Sequence, residues 1–139
     1  MSEQSEQIKM RCRRFSVNVL QLIDGFDRKP SLDVVARQLA RSATSTGANY
    51  RASCTARSRA EYLSKLQTSS EKADESVHWF EILTDLGTVR SASLEPLARE
   101  ATELMKIIGK SLGTARTNTY GSRTQSIHRK DTGAARQLK

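Results

Sequence analysis

Metal and thiol chemistry have little to work with in this sequence, which holds two histidines and two cysteines. Cys12 and Cys54 stand far apart and fit no metal or redox spacing. In a reducing cytosol they read as small buried apolar residues. Glu75-Ser76-Val77-His78 has the Glu-x-x-His spacing that sets two ligands on one helix face in di-iron bundles. Such sites need a second copy of the motif, and the other histidine, His128, lies in the C-terminal stretch. No metal site is expected. Gly109-Lys110-Ser111 imitates the end of a phosphate-binding loop, but Leu104 stands where that motif needs glycine and no strand precedes it. Serine, cysteine and histidine form no nucleophile arrangement that spacing supports. The expectation is a protein that is not an enzyme and takes no cofactor. No run approaches the roughly 18 apolar residues of a membrane span, so no membrane partner is expected. The opening MSEQSEQIKM has no signal-peptide apolar core, and the expected location is cytoplasmic.

What the chain does have is positive charge, a formal +8 over 139 residues. Residues 1–57 hold ten basic and five acidic side chains, +5; residues 114–139 hold six and one, again +5. Residues 58–86, with three basic and six acidic, carry −3. A small basic protein favours anionic partners, nucleic acid first among them.

Apolar residues step by three and four through four segments, the signature of helices. Ile8, Cys12, Phe15, Val19, Leu22 and Phe26 form the seam of a first helix, roughly Ser5 to Phe26, which Gly25 and Pro30 end. Ser31 reads as the cap of a second, with Leu32, Val35, Leu39 and Ala43 on one face. Its run from Ser42 to Ala48 carries only small side chains, so neighbouring helices can approach closely and hydroxyls can bond back to the i−4 carbonyl. Ser58-x-x-Glu61 is a capping box that opens a third helix, Arg59 to Leu86, closed by Gly87. Leu63, Leu66, Ser70, Ala73, Val77 and Phe80 form its seam. Ser91 to Ser93 and Pro96 open a fourth, with a seam of Leu94, Leu97, Ala101, Leu104, Ile108 and Leu112, closed by Gly113. From Thr114 the composition turns polar and basic. That stretch buries too little apolar surface to offset its ordering entropy. The expected organisation is therefore all-α: residues 1–113 an antiparallel up-down-up-down four-helix bundle, residues 114–139 a flexible, disordered basic tail.

Within this frame, QLARSATSTGANYRASCTARSRAEYLSKL (residues 38–66) and EKADESVHWFEILTDLG (residues 71–87) resemble the four-helix-bundle family named after intervening sequences in bacterial 23S rRNA genes. The pattern is a small-residue helix ending in an asparagine and an aromatic, a basic turn, an aromatic, and an acidic pair before an aromatic-Leu segment. Here these are Asn49, Tyr50, Arg51, Arg57, Ser58, Tyr62, Asp74, Glu75, Trp79 and Leu83. Many relatives have an acidic-Gly pair after the asparagine, where this chain has Arg51-Ala52-Ser53. The resemblance spans roughly residues 8–113. It implies a homo-oligomer, a five-membered ring of bundles. It also implies kinship with the accessory protein of diversity-generating retroelements, which binds nucleic acid and partners a reverse transcriptase. No catalytic residues come with the resemblance.

Two readings stand open. In one, the oligomer contacts RNA or DNA phosphates through Arg11, Arg13, Arg14, Arg37, Arg41, Arg51, Arg57 and Arg59, with Tyr50 or Tyr62 stacking on a base or simply packing between helices. In the other, the chain scaffolds a protein partner such as a reverse transcriptase, and the arginines pair with Glu71, Asp74, Glu75 and Glu81. Apolar residues beyond the seams, Met10, Val17, Leu20, Trp79 and Ile82, are the expected subunit contacts.

Overall fold

The computed structural model describes the backbone of residues 2–137 and the side chains of residues 2–118. Within these it is all-α: α1 (Glu3–Asp24), α2 (Pro30–Cys54), α3 (Arg59–Leu86) and α4 (Ser91–Gln137). They pack as a four-helix bundle in which α2 meets α3 most extensively and α1 meets α4 least. None of the helices is long and apolar enough, among the described residues, to cross a membrane.

Local chemistry sets most helix ends. Ser2 caps α1 by accepting a hydrogen bond from the Ser5 N–H at 3.1 Å. Ser58 does the same for α3, taking the Glu61 N–H at 3.1 Å. Glu61 reaches back one residue further than a standard capping box, accepting from the Arg57 N–H at 3.0 Å. Gly87, with φ 68°, ends α3 in the left-handed conformation that glycine adopts without a Cβ clash.

Two expected ends differ. Pro30 opens α2 rather than only stopping α1, because a first-turn residue needs no N–H donor. Lys29 is then the N-cap, without a side-chain bond, and Ser31 lies inside the helix. Gly113 does not close α4. The helix passes through it, Ala115 is buried in the core, and the Arg59 Nη2 donates to the Ala115 carbonyl at 3.0 Å. Arg116 Nη2 donates to Gln67 Oε1 at 2.7 Å. A glycine within a helix costs about 1 kcal/mol, and packing on α3 outweighs that here. The expected flexible basic tail falls, from residue 119, outside the residues whose side chains are described.

The core follows the seams. Ile8, Cys12, Phe15 and Val19 meet Leu32, Val35, Leu39 and Ala43, with Leu66, Phe80 and Leu83 from α3 and Leu94, Ala101, Leu104, Ile108 and Leu112 from α4. The α3 seam is shifted by one position in its middle: Ser69 and Ser76 are buried, whereas Ser70 and Val77 are half-buried. The reason is hydroxyl chemistry. Ser69 Oγ donates to the Thr46 carbonyl at 2.7 Å, and the Ser76 and Ser42 hydroxyls bond at 2.9 Å. Thr46 Oγ1 bonds back to the Ser42 carbonyl at 2.8 Å. These small side chains bring α2 and α3 together while leaving no hydroxyl unpaired. On the other side of α2, a Cβ built on Gly47 would lie 3.0 Å from Cys12 Cβ, so this glycine permits the close α1–α2 approach.

Candidate nucleic-acid interface and oligomer face

The solvent face of α1 and the adjoining face of α2 form the most distinctive surface. On α1, Met10, Val17 and Leu20 are 52%, 48% and 41% exposed. Arg13 and Arg14 lie between them on the helix turns and are exposed too. On α2, Arg37, Arg41, Thr44, Ala48 and Arg51 recur at four- and three-residue intervals and so share one stripe. Between the two helices runs a groove of about 620 Å³. Its base is low because Gly47 and Ala48 carry almost no side chain; its apolar wall is Met10, Val17 and Leu20, and Arg13 and Arg51 stand at its edges. Lys9, which sequence reasoning did not single out, also lines it and pairs with Glu6 at 2.9 Å.

The eight arginines picked from sequence divide. Arg13, Arg14, Arg37, Arg41, Arg51, Arg57 and Arg59 are exposed. Arg11 points the other way, toward α4. Its Nη2 bonds Glu100 Oε1, and its Nε lies 3.4 Å from Glu100 Oε2. That fork-like pair holds the guanidinium pKa above its ordinary value. Arg59 donates to the Ala115 carbonyl and sits 5.8 Å from the Tyr62 ring centroid. Among the described residues no ion pair joins an α2 arginine to the acidic residues of α3; the ion pairs are Lys9–Glu6, Arg11–Glu100 and Lys72–Glu75.

The five expected subunit contacts divide as well. Met10, Val17 and Leu20 are together on the groove. Trp79 and Ile82 are half-buried and pack against the bundle core. The Trp79 Nε1 is buried without a hydrogen-bond partner among the described residues. Val34 and Leu86, 60% and 42% exposed, are further apolar surface outside the four seams.

Other polar groups are occupied. Glu75 pairs with Lys72 at 3.2 Å, and the His78 ring meets Trp79 edge-on at 4.8 Å. Among the described residues no group of three histidine, cysteine or carboxylate side chains is placed to hold a metal ion. Burial pushes the Cys12 thiol up to about 12, so it stays protonated at neutral pH. Burial also raises the Tyr50 phenol, an effect that the nearby Ser5 side chain opposes.

Comparison with known proteins agrees with this architecture. No curated protein matches the chain. A crystal structure of a protein of unknown function from the S23 ribosomal protein family, from Bacteroides thetaiotaomicron, matches at 27% identity with a TM-score of 0.72. The match covers 78% of this chain and 97% of that one. The model of the family described as 23S rRNA-intervening sequence protein matches residues 4–110. With three-quarters of its length under that model and its four helices packed as the sequence pattern requires, the chain belongs to the 23S rRNA-intervening sequence protein family.

Proposed function

We propose that this protein is a non-enzymatic, homo-oligomeric nucleic-acid-binding protein built on an antiparallel up-down-up-down bundle. Met10, Val17 and Leu20 form the subunit contact, and the arginines beside them meet phosphates. The observation that carries this reading is the α2 arginine stripe. Arg37, Arg41 and Arg51 are exposed and, among the described residues, in no ion pair. Arg13 and Arg14 extend it across the groove onto α1. A guanidinium with no carboxylate partner is open to a phosphate, which matches its fork geometry. Assembly repeats the stripe on each subunit, so weak single contacts add by avidity. The family's name, with its reference to ribosomal RNA, makes RNA the first ligand to try.

The test is binding of a structured RNA and of duplex DNA at two salt concentrations. Each phosphate neutralised contributes about one unit to the log–log salt slope. Arg41→Ala with Arg51→Ala should lower both the affinity and that slope by close to two units while leaving helix content unchanged. The second reading, a scaffold for another protein such as a reverse transcriptase, is favoured by the apolar wall of the groove. It prevails if neither nucleic acid binds at low salt.

A further inference from the structure

At the bundle end where α1 and α3 begin lies a second cleft, separate from the α1–α2 groove, which gathers Arg59, Tyr50 and Tyr62 away from the α2 arginine stripe. Its volume is about 620 Å³, within the range of small-molecule sites. Tyr50, Arg59, Tyr62, Lys110 and Ser111 line it. A smaller cleft of about 360 Å³ adjoins it and shares Ser5, Tyr50, Arg59 and Tyr62.

Three properties of the lining point to one ligand chemistry. Two cations, Arg59 and Lys110, line the larger cleft, and among the described residues no carboxylate lines either cleft. An anion would meet the charge of both. The uncharged polar groups are hydroxyls and amides, including Gln4, Thr114 and Asn118; these are the donors and acceptors that sugars and base edges use. Flat surfaces are present as well. Tyr50 is buried, whereas Tyr62 is only half-buried. The Arg59 guanidinium lies close to the Tyr62 ring, and its Nη2 is anchored on the Ala115 carbonyl. Tyrosine rings and guanidinium planes are the surfaces on which unpaired bases stack. Lys110 and Ser111, which imitate a phosphate-binding loop in sequence, face this cleft from α4 without any such loop.

We propose that this bundle-end cleft binds a single unpaired nucleotide. Lys110 and Arg59 would hold its phosphate and Tyr62 would take its base. The ligand chemistry, a 5′-phosphate with its base, is shared by a free mononucleotide and by the phosphorylated end of a single strand.

The experiment is calorimetric titration of the full chain with AMP, UMP, a 5′-phosphorylated tetranucleotide and inorganic phosphate. At least one nucleotide ligand should bind with a submillimolar Kd, and inorganic phosphate should bind at least tenfold more weakly. Lys110→Glu should weaken nucleotide binding at least tenfold, with Lys110→Gln intermediate; Lys110 is exposed, so neither change should disturb folding. Tyr62→Leu should weaken it by at least about fivefold, the low end of a lost base–aromatic stack. Arg90→Ala, which removes an exposed arginine of the α3–α4 connection at the other end of the bundle, should leave it unchanged, so that the losses report the cleft and not overall charge. Equal binding of mononucleotide and tetranucleotide identifies a free nucleotide as the ligand. Binding of the tetranucleotide alone identifies a strand end. No binding of any nucleotide at millimolar concentration overturns the proposal. So does inorganic phosphate binding as tightly as AMP, or affinity indifferent to Lys110→Glu and Tyr62→Leu.

Discussion

Gly47 and Gly113 are both helical glycines, yet alanine at the two positions should act in opposite directions. In an exposed helix interior, glycine to alanine stabilises by up to about 1 kcal/mol, because alanine loses less backbone freedom on folding. Gly113 is such a position: a Cβ there meets nothing within 4 Å. At Gly47 the new methyl would lie 3.0 Å from Cys12 Cβ, 0.4 Å inside the 3.4 Å at which ordinary contact begins. Cys12 Cβ is fixed to the α1 backbone and cannot swing aside as a flexible side-chain tip would. The helices must separate, and forcing extra volume into a packed contact costs about 1–3 kcal/mol. Set against the propensity gain, Gly47→Ala should come out between neutral and about 2 kcal/mol destabilising. Gly113→Ala should raise stability by up to about 1 kcal/mol. Urea unfolding followed by circular dichroism, at one fixed protomer concentration, measures both, since subunit association also enters the apparent stability. In a thermal scan the two variants should part by several degrees, at roughly 3–5 °C per kcal/mol for a chain of this length. If Gly47→Ala stabilises as much as Gly113→Ala, the close approach of α1 and α2 is wrong.

Four further outcomes are expected. A thiol reagent at pH 8 should label the half-buried Cys54 readily and Cys12 only after unfolding. Because burial raises the Cys12 pKa from 9.0 to about 12, its contribution to stability is complete below pH 9 and lost as the pH rises from there toward 12, which a urea midpoint series across that range would register. Arg11→Ala should cost only about 0.5–1 kcal/mol, since both partners are partly exposed and water screens the pair. A double-mutant cycle with Glu100→Ala should recover that coupling, and no coupling would refute the α1–α4 pairing. Ser69→Ala should cost about 0.5–1.5 kcal/mol through the lost bond to the Thr46 carbonyl, read as a lower urea midpoint with an unchanged slope.

How much of this was legible in the sequence depends on the range of the forces involved. The α3 bounds, Arg59 and Leu86, follow from Ser58 and Gly87, each acting within a few residues of its own helix end. The close approach at Gly47 was equally local, a run of small residues. The passage of α4 through Gly113 could not be read this way. What holds it is remote in sequence: Arg59 on the Ala115 carbonyl and Arg116 on Gln67. The arginines of the candidate site sort by the same rule. Arg11, Arg13 and Arg14 look alike as a cluster, and only the position of Glu100 on α4 removes Arg11 from the solvent-facing set. Trp79 and Ile82 read as excess apolar surface because a seam count cannot tell how wide a face the bundle covers. The one-position shift to Ser69 and Ser76 depended on which hydroxyls find carbonyls on α2, a matter of register between helices.

That register has a mechanical consequence. If α3 slid along α2 by one turn, about 5.4 Å, Ala73 would replace Ser69 opposite the Thr46 carbonyl, and Ser42 would lose the hydroxyl of Ser76. Sliding is thus opposed at discrete notches, each a hydroxyl bond that a shifted register would break, and not by apolar contact alone. The edge between α1 and α4 is the opposite case: it is the least extensive helix contact and one partly exposed ion pair, Arg11–Glu100, spans it, so it offers the bundle's weakest resistance to opening.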